Sequence, residues 1–194
     1  LAPAVLINLE VFSSKTLGPG PASFFKQIYT QFIGGADAFC YNATMEITSH
    51  SQEETALVAK RVLSQLPTPQ SQRATVLALY GDLGSGKTTF TQYLAKELGI
   101  KDYVTSPTFV IEKRYDVGAD LASKFRTLIH IDCYRLSKPD ELLNLDWREI
   151  IEDQYNLVVV EWPERIKELL PANSIKVEFE FISENERRIS MKGE

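Results

Sequence analysis

The chain is short of several things, and each shortage narrows what its 194 residues can do. Basic residues are outnumbered, 21 Lys and Arg against 26 Asp and Glu, which leaves a net charge of -5. Affinity for nucleic acid grows with the number of phosphates neutralised. A chain of this sign does not grip DNA or RNA through its own bulk electrostatics, so any role on RNA would run through a partner. Cysteine is limited to Cys40 and Cys133, far apart and without a C-x-x-C pair. That argues against a disulfide framework or a cysteine zinc site and fits a reducing cytosol, so a cytoplasmic location is expected. No apolar run reaches the roughly 20 residues that a bilayer-spanning helix needs. Leu1 to Leu9 lacks the basic start and longer apolar core of a secretion signal. What remains is an ordinary soluble composition, 44% hydrophobic and 24% charged, with length for one full domain, alone or with an extension.

Glycine, sparse elsewhere, is concentrated in Gly81-Asp82-Leu83-Gly84-Ser85-Gly86-Lys87-Thr88, followed by Thr89 and Phe90. This matches G-x-x-x-x-G-K-[ST], the phosphate-binding loop of P-loop nucleotidases. Each part has a task. Glycines let the backbone curl until successive N–H groups point at phosphate oxygens, and the positive end of the next helix adds to that field. Lys87 would reach the β- and γ-phosphates, and the Thr88 hydroxyl would bind Mg²⁺. The flanks agree. Thr75 to Tyr80 is a β-prone apolar run, and Phe90, Leu94 and Leu98 recur at helical spacing before Gly99. Strand, glycine loop and helix predict a nucleoside triphosphate site.

The first 44 residues read differently, with Gly18-Pro19-Gly20-Pro21, Gly34-Gly35 and aromatics in no clear period. The first methionine is Met45, and the functional domain is expected at 45–194. Residues 1–44 are then an extension or upstream translated sequence, or else an element packed on the domain. Glu46-Ile47-Thr48 is a strand candidate. Ser51 and Glu54 form a capping-box pattern ahead of the apolar stripe Val58, Ala59, Val62, Leu63 and Leu66, which Pro67 and Pro69 end. After Gly99, Phe109 to Tyr115 alternates as a strand would. Val104 to Thr108 ahead of it is a polar loop whose Ser106 and Thr108 either sense a γ-phosphate, as switch segments do, or cap a turn leading into the strand.

Two further apolar runs end in acids: Thr127 to Asp132, and Leu157 to Glu161. Buried parallel strands look like this, and ligands of open α/β sheets gather at their carboxyl ends. A P-loop nucleotidase needs a carboxylate there to hold the Mg²⁺ shell or to orient water, and these residues supply two candidates without ranking them. Helix starts are expected near Ser137 and Pro139, and at Pro163. His130, inside an apolar strand, is read as a core histidine. Trp162 either stacks on the base or fills core space, and Arg165 is either a phosphate contact or an ion-pair partner. The strict alternation from Ser174 to Phe181, answered by Arg188 to Met191, predicts a C-terminal hairpin.

Gly81 to Phe90, Ser106-Pro107-Thr108-Phe109 with Tyr115, His130-Ile131-Asp132-Cys133-Tyr134-Arg135-Leu136 and Val160-Glu161-Trp162-Pro163-Glu164-Arg165 occur in that order. The set closely resembles the TsaE (YjeE) family, the small ATPase component of the bacterial machinery that makes threonylcarbamoyladenosine in tRNAs reading codons that begin with A. The resemblance covers Met45 to the C-terminus. It implies an α/β fold, a single P-loop domain with a mixed, mostly parallel central sheet flanked by helices and closed by the hairpin. It implies Thr88 and Glu161 as Mg²⁺ ligands and Asp132 as the second acid of the ATPase site. Ser106 to Phe109 would be the switch-like loop, with Thr55 near the adenine and Trp162 close to the nucleotide. This chain departs from many members by Ser85 in place of alanine, and by Asn144-Leu145-Asp146-Trp147 where a glycine is common.

The expected activity is therefore hydrolysis of ATP with Mg²⁺, resetting a complex of TsaD and TsaB homologues without acting on tRNA directly. A small-molecule kinase on the same fold is the alternative. It would need an acceptor pocket and an arginine-bearing lid, and no arginine-rich insertion is visible; Arg135 and Arg165 are weak candidates for an arginine finger. The guanine-reading N-K-x-D of GTPases and the L-S-G-G-Q of transporter ATPases are both missing.

Overall fold

The computed structural model describes residues 45–67, 73–118 and 124–192. The readings for residues 1–44, and parts of the linkers after Pro67 and Asp116, lie outside the described residues.

Seven strands form one sheet in the order β1-β7-β6-β2-β5-β4-β3. They are β1 (Met45–Ser49), β2 (Thr75–Tyr80), β3 (Glu112–Asp116), β4 (Thr127–Asp132), β5 (Asn156–Glu161), β6 (Ile175–Phe181) and β7 (Arg187–Lys192). The central strands β6, β2, β5 and β4 run parallel, while β1, β7 and β3 pair antiparallel at the two edges. The helices are α1 (Gln52–Gln65), α2 (Lys87–Glu97), α3 (Asp140–Leu143) and α4 (Trp147–Glu152), with a 3₁₀ stretch over Pro163–Leu169. The sheet is thus mixed, as expected, and the predicted hairpin is β6–β7.

Composition explains the layering. Strands β2 and β5 are apolar at nearly every position because both faces are covered. Leu77, Leu79, Leu157 and Val159 pack with Val58 and Val62 of α1 and Phe90 and Leu94 of α2. Val76, Val158 and Val160 turn to the opposite core, with Leu142, Trp147, Ile150 and Ile166. Each such fully buried aliphatic or aromatic side chain is worth about 1.5–3 kcal/mol. Strand β6 alternates instead: Ile175, Val177 and Phe179 face the first core, and Phe179 meets Phe90 edge-on at 5.3 Å. Lys176, Glu178 and Glu180 lie on its other face, where Lys176 pairs with Glu178 along the strand and Glu178–Lys192 and Glu180–Arg188 pair across the hairpin. That face is polar and partly exposed.

Helix ends follow their sequence signals. Ser51 Oγ accepts the Glu54 N–H at 3.2 Å, and Glu54 Oε2 accepts the His50 N–H at 2.7 Å, one residue earlier than in an ordinary capping box. Gly99 (φ 77°) closes α2 through Gly99 N–H to Lys96 O and Ile100 N–H to Ala95 O, the Schellman pattern. Asp146 stands in the left-handed region at φ 57°, a conformation that suits glycine first and tolerates aspartate.

One boundary is corrected. The strand read from Phe109 begins only at Glu112. The Pro107 carbonyl accepts both the Val110 and the Ile111 N–H groups, so 107–111 curls into a turn that leaves Phe109 and Val110 exposed. Apolar alternation alone does not register that the proline carbonyl has captured the backbone.

Candidate functional site

The parallel register sets the site. Asp132 and Glu161 are direct partners at the carboxyl ends of β4 and β5, and the glycine loop leaves the end of adjacent β2. Gly81 begins that loop at φ 138°, and a Cβ there would lie 2.3 Å from the Phe179 carbonyl oxygen. Only glycine lets the loop pass so close to β6. Gly86 is the N-cap of α2 and offers no side chain to it, so the first N–H groups of this 11-residue helix are directed at the loop.

Lys87 is 4% exposed. Its Nζ donates to the Gly81 and Asp82 carbonyls, at 2.6 and 2.9 Å, and sits 4.1 Å from the centroid of the Trp162 ring. Burial lowers its pKa below the usual 10.5, and the carboxylates of Glu161, Glu164, Asp132 and Asp82 oppose that shift. Thr88 donates its hydroxyl to Glu161, 2.9 Å from Oε1 and 3.0 Å from Oε2. Asp132 gathers three donors: the hydroxyls of Ser106 and Thr108 on Oδ2, and the Tyr134 N–H on Oδ1 at 3.0 Å. The polar loop after α2 is therefore tied to the acid of β4.

Two non-glycine residues flank these acids with positive φ, Ile111 (68°) and Trp162 (59°). Such conformations cost on the order of 1–3 kcal/mol each and cluster at working sites. Here they aim groups at the site. The Ile111 carbonyl accepts the Asp132 N–H at 2.9 Å, and Trp162 turns its ring over Lys87 and toward Tyr134, 5.0 Å between centroids.

The remaining expected residues scatter more. Thr55 is fully buried, bonded to Ser49 Oγ at 2.8 Å and to the Ser51 carbonyl at 3.0 Å. Thr89 is half-buried in the first turn of α2, and Leu83 at the loop tip is 77% exposed. Arg135 does not turn to the loop; its guanidinium lies over the Phe109 ring at 4.3 Å. Arg187 of β7 was not anticipated. Its Nη1 approaches Thr55 Oγ1 at 3.5 Å, and its side chain runs alongside Gly86. An arginine in an alternating strand gives no sequence signal, because only the β1–β7 pairing brings it beside the loop. His130, expected as a core histidine, is fully buried, and its Nε2 contacts Glu161 Oε1 at 2.9 Å.

Chemically, a hydroxyl paired with a carboxylate, and a second carboxylate across the register, are hard oxygen donors suited to Mg²⁺. That ion is usually held by one or two carboxylates together with substrate phosphates and water. No grouping of three or more His, Cys, Asp or Glu side chains able to hold a metal by themselves occurs among the described residues. The set thus fits a metal that arrives with phosphates better than a closed structural site.

The family model described as "Threonylcarbamoyl adenosine biosynthesis protein TsaE" matches residues 49–189. The chain belongs to the TsaE family. The tRNA threonylcarbamoyladenosine biosynthesis protein TsaE of Bacillus subtilis (strain 168) is 38% identical over 138 residues, 71% of this chain and 78% of that protein. The TsaE protein of Rickettsia conorii is 37% identical over 145 residues, 74% of this chain and 75% of its own length. Among solved structures, Bacillus subtilis YdiB superimposes with a TM-score of 0.58 at 30% identity, over 78% of this chain and 86% of its own. The matched span of this TsaE chain runs from the last residue of β1 into the first half of β7 and contains β2 to β6 entire. Among the described residues no helix is long and apolar enough to cross a membrane.

Proposed function

We propose that this TsaE chain is a Mg²⁺-dependent ATPase that acts on a TsaD–TsaB complex in forming the threonylcarbamoyl group on tRNA, without touching tRNA itself, in the cytoplasm. The observation that carries the reading is the convergence of Lys87, Thr88, Asp132 and Glu161 at the mouth of one glycine loop.

In this reading the N–H groups of 81–89 and the Lys87 ammonium surround the β- and γ-phosphates and neutralise charge on the transferring phosphoryl group. Thr88 and Glu161 hold Mg²⁺, with Asp132 as the second acid of its surroundings. When bound, the ion supplies Lewis-acid stabilisation of the phosphate oxygens. The carboxylate not engaged by the metal orients the attacking water. Ser106 and Thr108 report on the γ-phosphate because both hydroxyls end on Asp132. A change at that acid is passed directly to the 105–111 loop and its exposed Phe109 and Val110. Thr55 and Trp162 border the nucleotide, and Arg187 sits between Thr55 and the loop as an additional contact.

Turnover of ATP by the isolated chain is expected to be weak and to rise when TsaD and TsaB are added. The assay is phosphate release with and without the partners; equal rates would count against the proposal. Appearance of the phosphate on a small acceptor instead of in solution would favour the kinase alternative.

A further inference from the structure

We propose that His130 is the positioning residue that sets the orientation of Glu161 toward the metal. The inference rests on the reading of Glu161 as a Mg²⁺ ligand and goes beyond it, to what holds that ligand.

Along β4 the side chains alternate, so Leu128, His130 and Asp132 share one face, and in β5 Val159 and Glu161 share the corresponding one. His130 pairs with Val159 in the parallel register, which leaves Glu161 one diagonal step away. Its Nε2 lies 2.9 Å from Glu161 Oε1, with both side chains essentially sealed from solvent, 0% and 4% exposed. A carboxylate only accepts, so the proton of this contact sits on Nε2. The other ring nitrogen, Nδ1, is buried with no hydrogen-bond partner among the described residues. A histidine retained simply to fill core space would not need a polar tip here. This one has its hydrogen bonding committed to a single oxygen of a single acid.

The two oxygens of Glu161 are consequently unequal. Oε1 receives the Thr88 hydroxyl and the His130 N–H, whereas Oε2 receives Thr88 alone. His130 pins Oε1 from the sheet side and leaves Oε2 with free lone pairs beside Thr88. Mg²⁺ demands near-ideal octahedral placement of its ligands, so a carboxylate free to swing is a poor ligand. Groups that orient a metal ligand in this way are typically worth 10–100-fold in metal affinity.

The test compares His130→Gln, His130→Asn and His130→Leu. Glutamine can place an amide N–H near the position of Nε2; asparagine is too short; leucine has no donor. Three quantities are read: the Mg²⁺ concentration giving half-maximal binding of a fluorescent non-hydrolysable ATP analogue, the affinity for that analogue without Mg²⁺, and stability to urea. The Asn and Leu variants are expected to raise the half-saturating Mg²⁺ about tenfold or more, leaving metal-free affinity unchanged, and Gln is expected to restore it to within about threefold. The Gln and Asn variants carry the test if Leu does not fold. Unchanged Mg²⁺ dependence in all variants, Gln behaving like Asn, or a parallel loss of metal-free affinity would overturn the proposal. A wild-type chain whose nucleotide binding ignores Mg²⁺ would overturn the ATPase reading and this one together. A Mg²⁺-dependent wild type with unaffected variants overturns this one alone.

Discussion

Replacing Gly81 by alanine should be far more damaging than the same change three residues on, at Gly84. At Gly81 the backbone stands at φ 138°, and the new Cβ would lie 2.3 Å from the Phe179 carbonyl oxygen and 2.9 Å from Ser85 Oγ. That is about 1 Å short of an ordinary C···O approach of ~3.3 Å. Neither backbone can easily yield, because β2 and β6 are paired through Tyr80↔Glu178 immediately beside the contact. A sparsely populated φ costs on the order of 1–3 kcal/mol and overpacking typically adds another 1–3, giving about 2–6 kcal/mol. Gly84 also has positive φ, 78°, but nothing lies within 4 Å of its added Cβ, so only the left-handed penalty of about 1–2 kcal/mol applies. At roughly 2–4 °C per kcal/mol for a chain of this size, Gly81→Ala should lower Tm by about 4–24 °C. Urea unfolding of both variants at one pH, with a common m-value, measures the difference. Equal losses at the two positions would refute the argument that the loop is fixed by its passage against β6.

Other outcomes follow from the same contacts. Ser106→Ala and Thr108→Val each remove a hydroxyl from buried Asp132 and should cost about 1–3 kcal/mol. The two hydroxyls also bond each other, so the double variant should lose less than the sum of the singles in urea unfolding, and strict additivity would contradict the shared anchor. Because burial lowers the pKa of Lys87, nucleotide affinity should begin to fall on the alkaline side below the usual lysine value of 10.5, and Lys87→Arg should move that fall upward. Stability without nucleotide carries the opposite sign. The unfolded chain holds this proton more tightly, so the contribution of Lys87 to stability rises with pH between its lowered value and the ordinary one, which urea titrations across that window against Lys87→Met would show. Burial, then the charges of Asp132 and Glu164, push the Cys133 thiol up to about 12. In a Cys40→Ser background it should resist thiol reagents at pH 8 until urea unfolds the chain; prompt labelling of the native protein would contradict its burial.

Much of the site is legible in the sequence because its parts are local or fall at strand ends. The glycine loop, its strand and its helix need no long-range information, and acids closing two apolar runs land side by side when those runs pair in parallel, as Asp132 and Glu161 do. The polar Ser106-Pro107-Thr108 segment shows its character but not its partner, since its bond to Asp132 depends on how the 107–111 turn folds back. His130 is legible as a core histidine but its partner is not: in an apolar strand, a histidine that only packs and one that reaches diagonally to the next strand's acid have the same neighbours in sequence. Arg187 is hidden differently. Its place beside Gly86 and Thr55 follows from β7 lying between β1 and β6, a topology that alternation alone does not specify.

The most direct test of the central claim is formation of threonylcarbamoyladenosine in a reconstituted system of TsaD, TsaB, a threonylcarbamoyl donor, ATP and tRNA, read by nucleoside analysis. Wild-type chain should sustain repeated rounds of modification. Lys87→Ala, which removes the ammonium held at the loop carbonyls, should abolish both modification and ATP hydrolysis while urea unfolding reports an intact fold. Modification at the wild-type level with the folded Lys87→Ala chain would contradict the account.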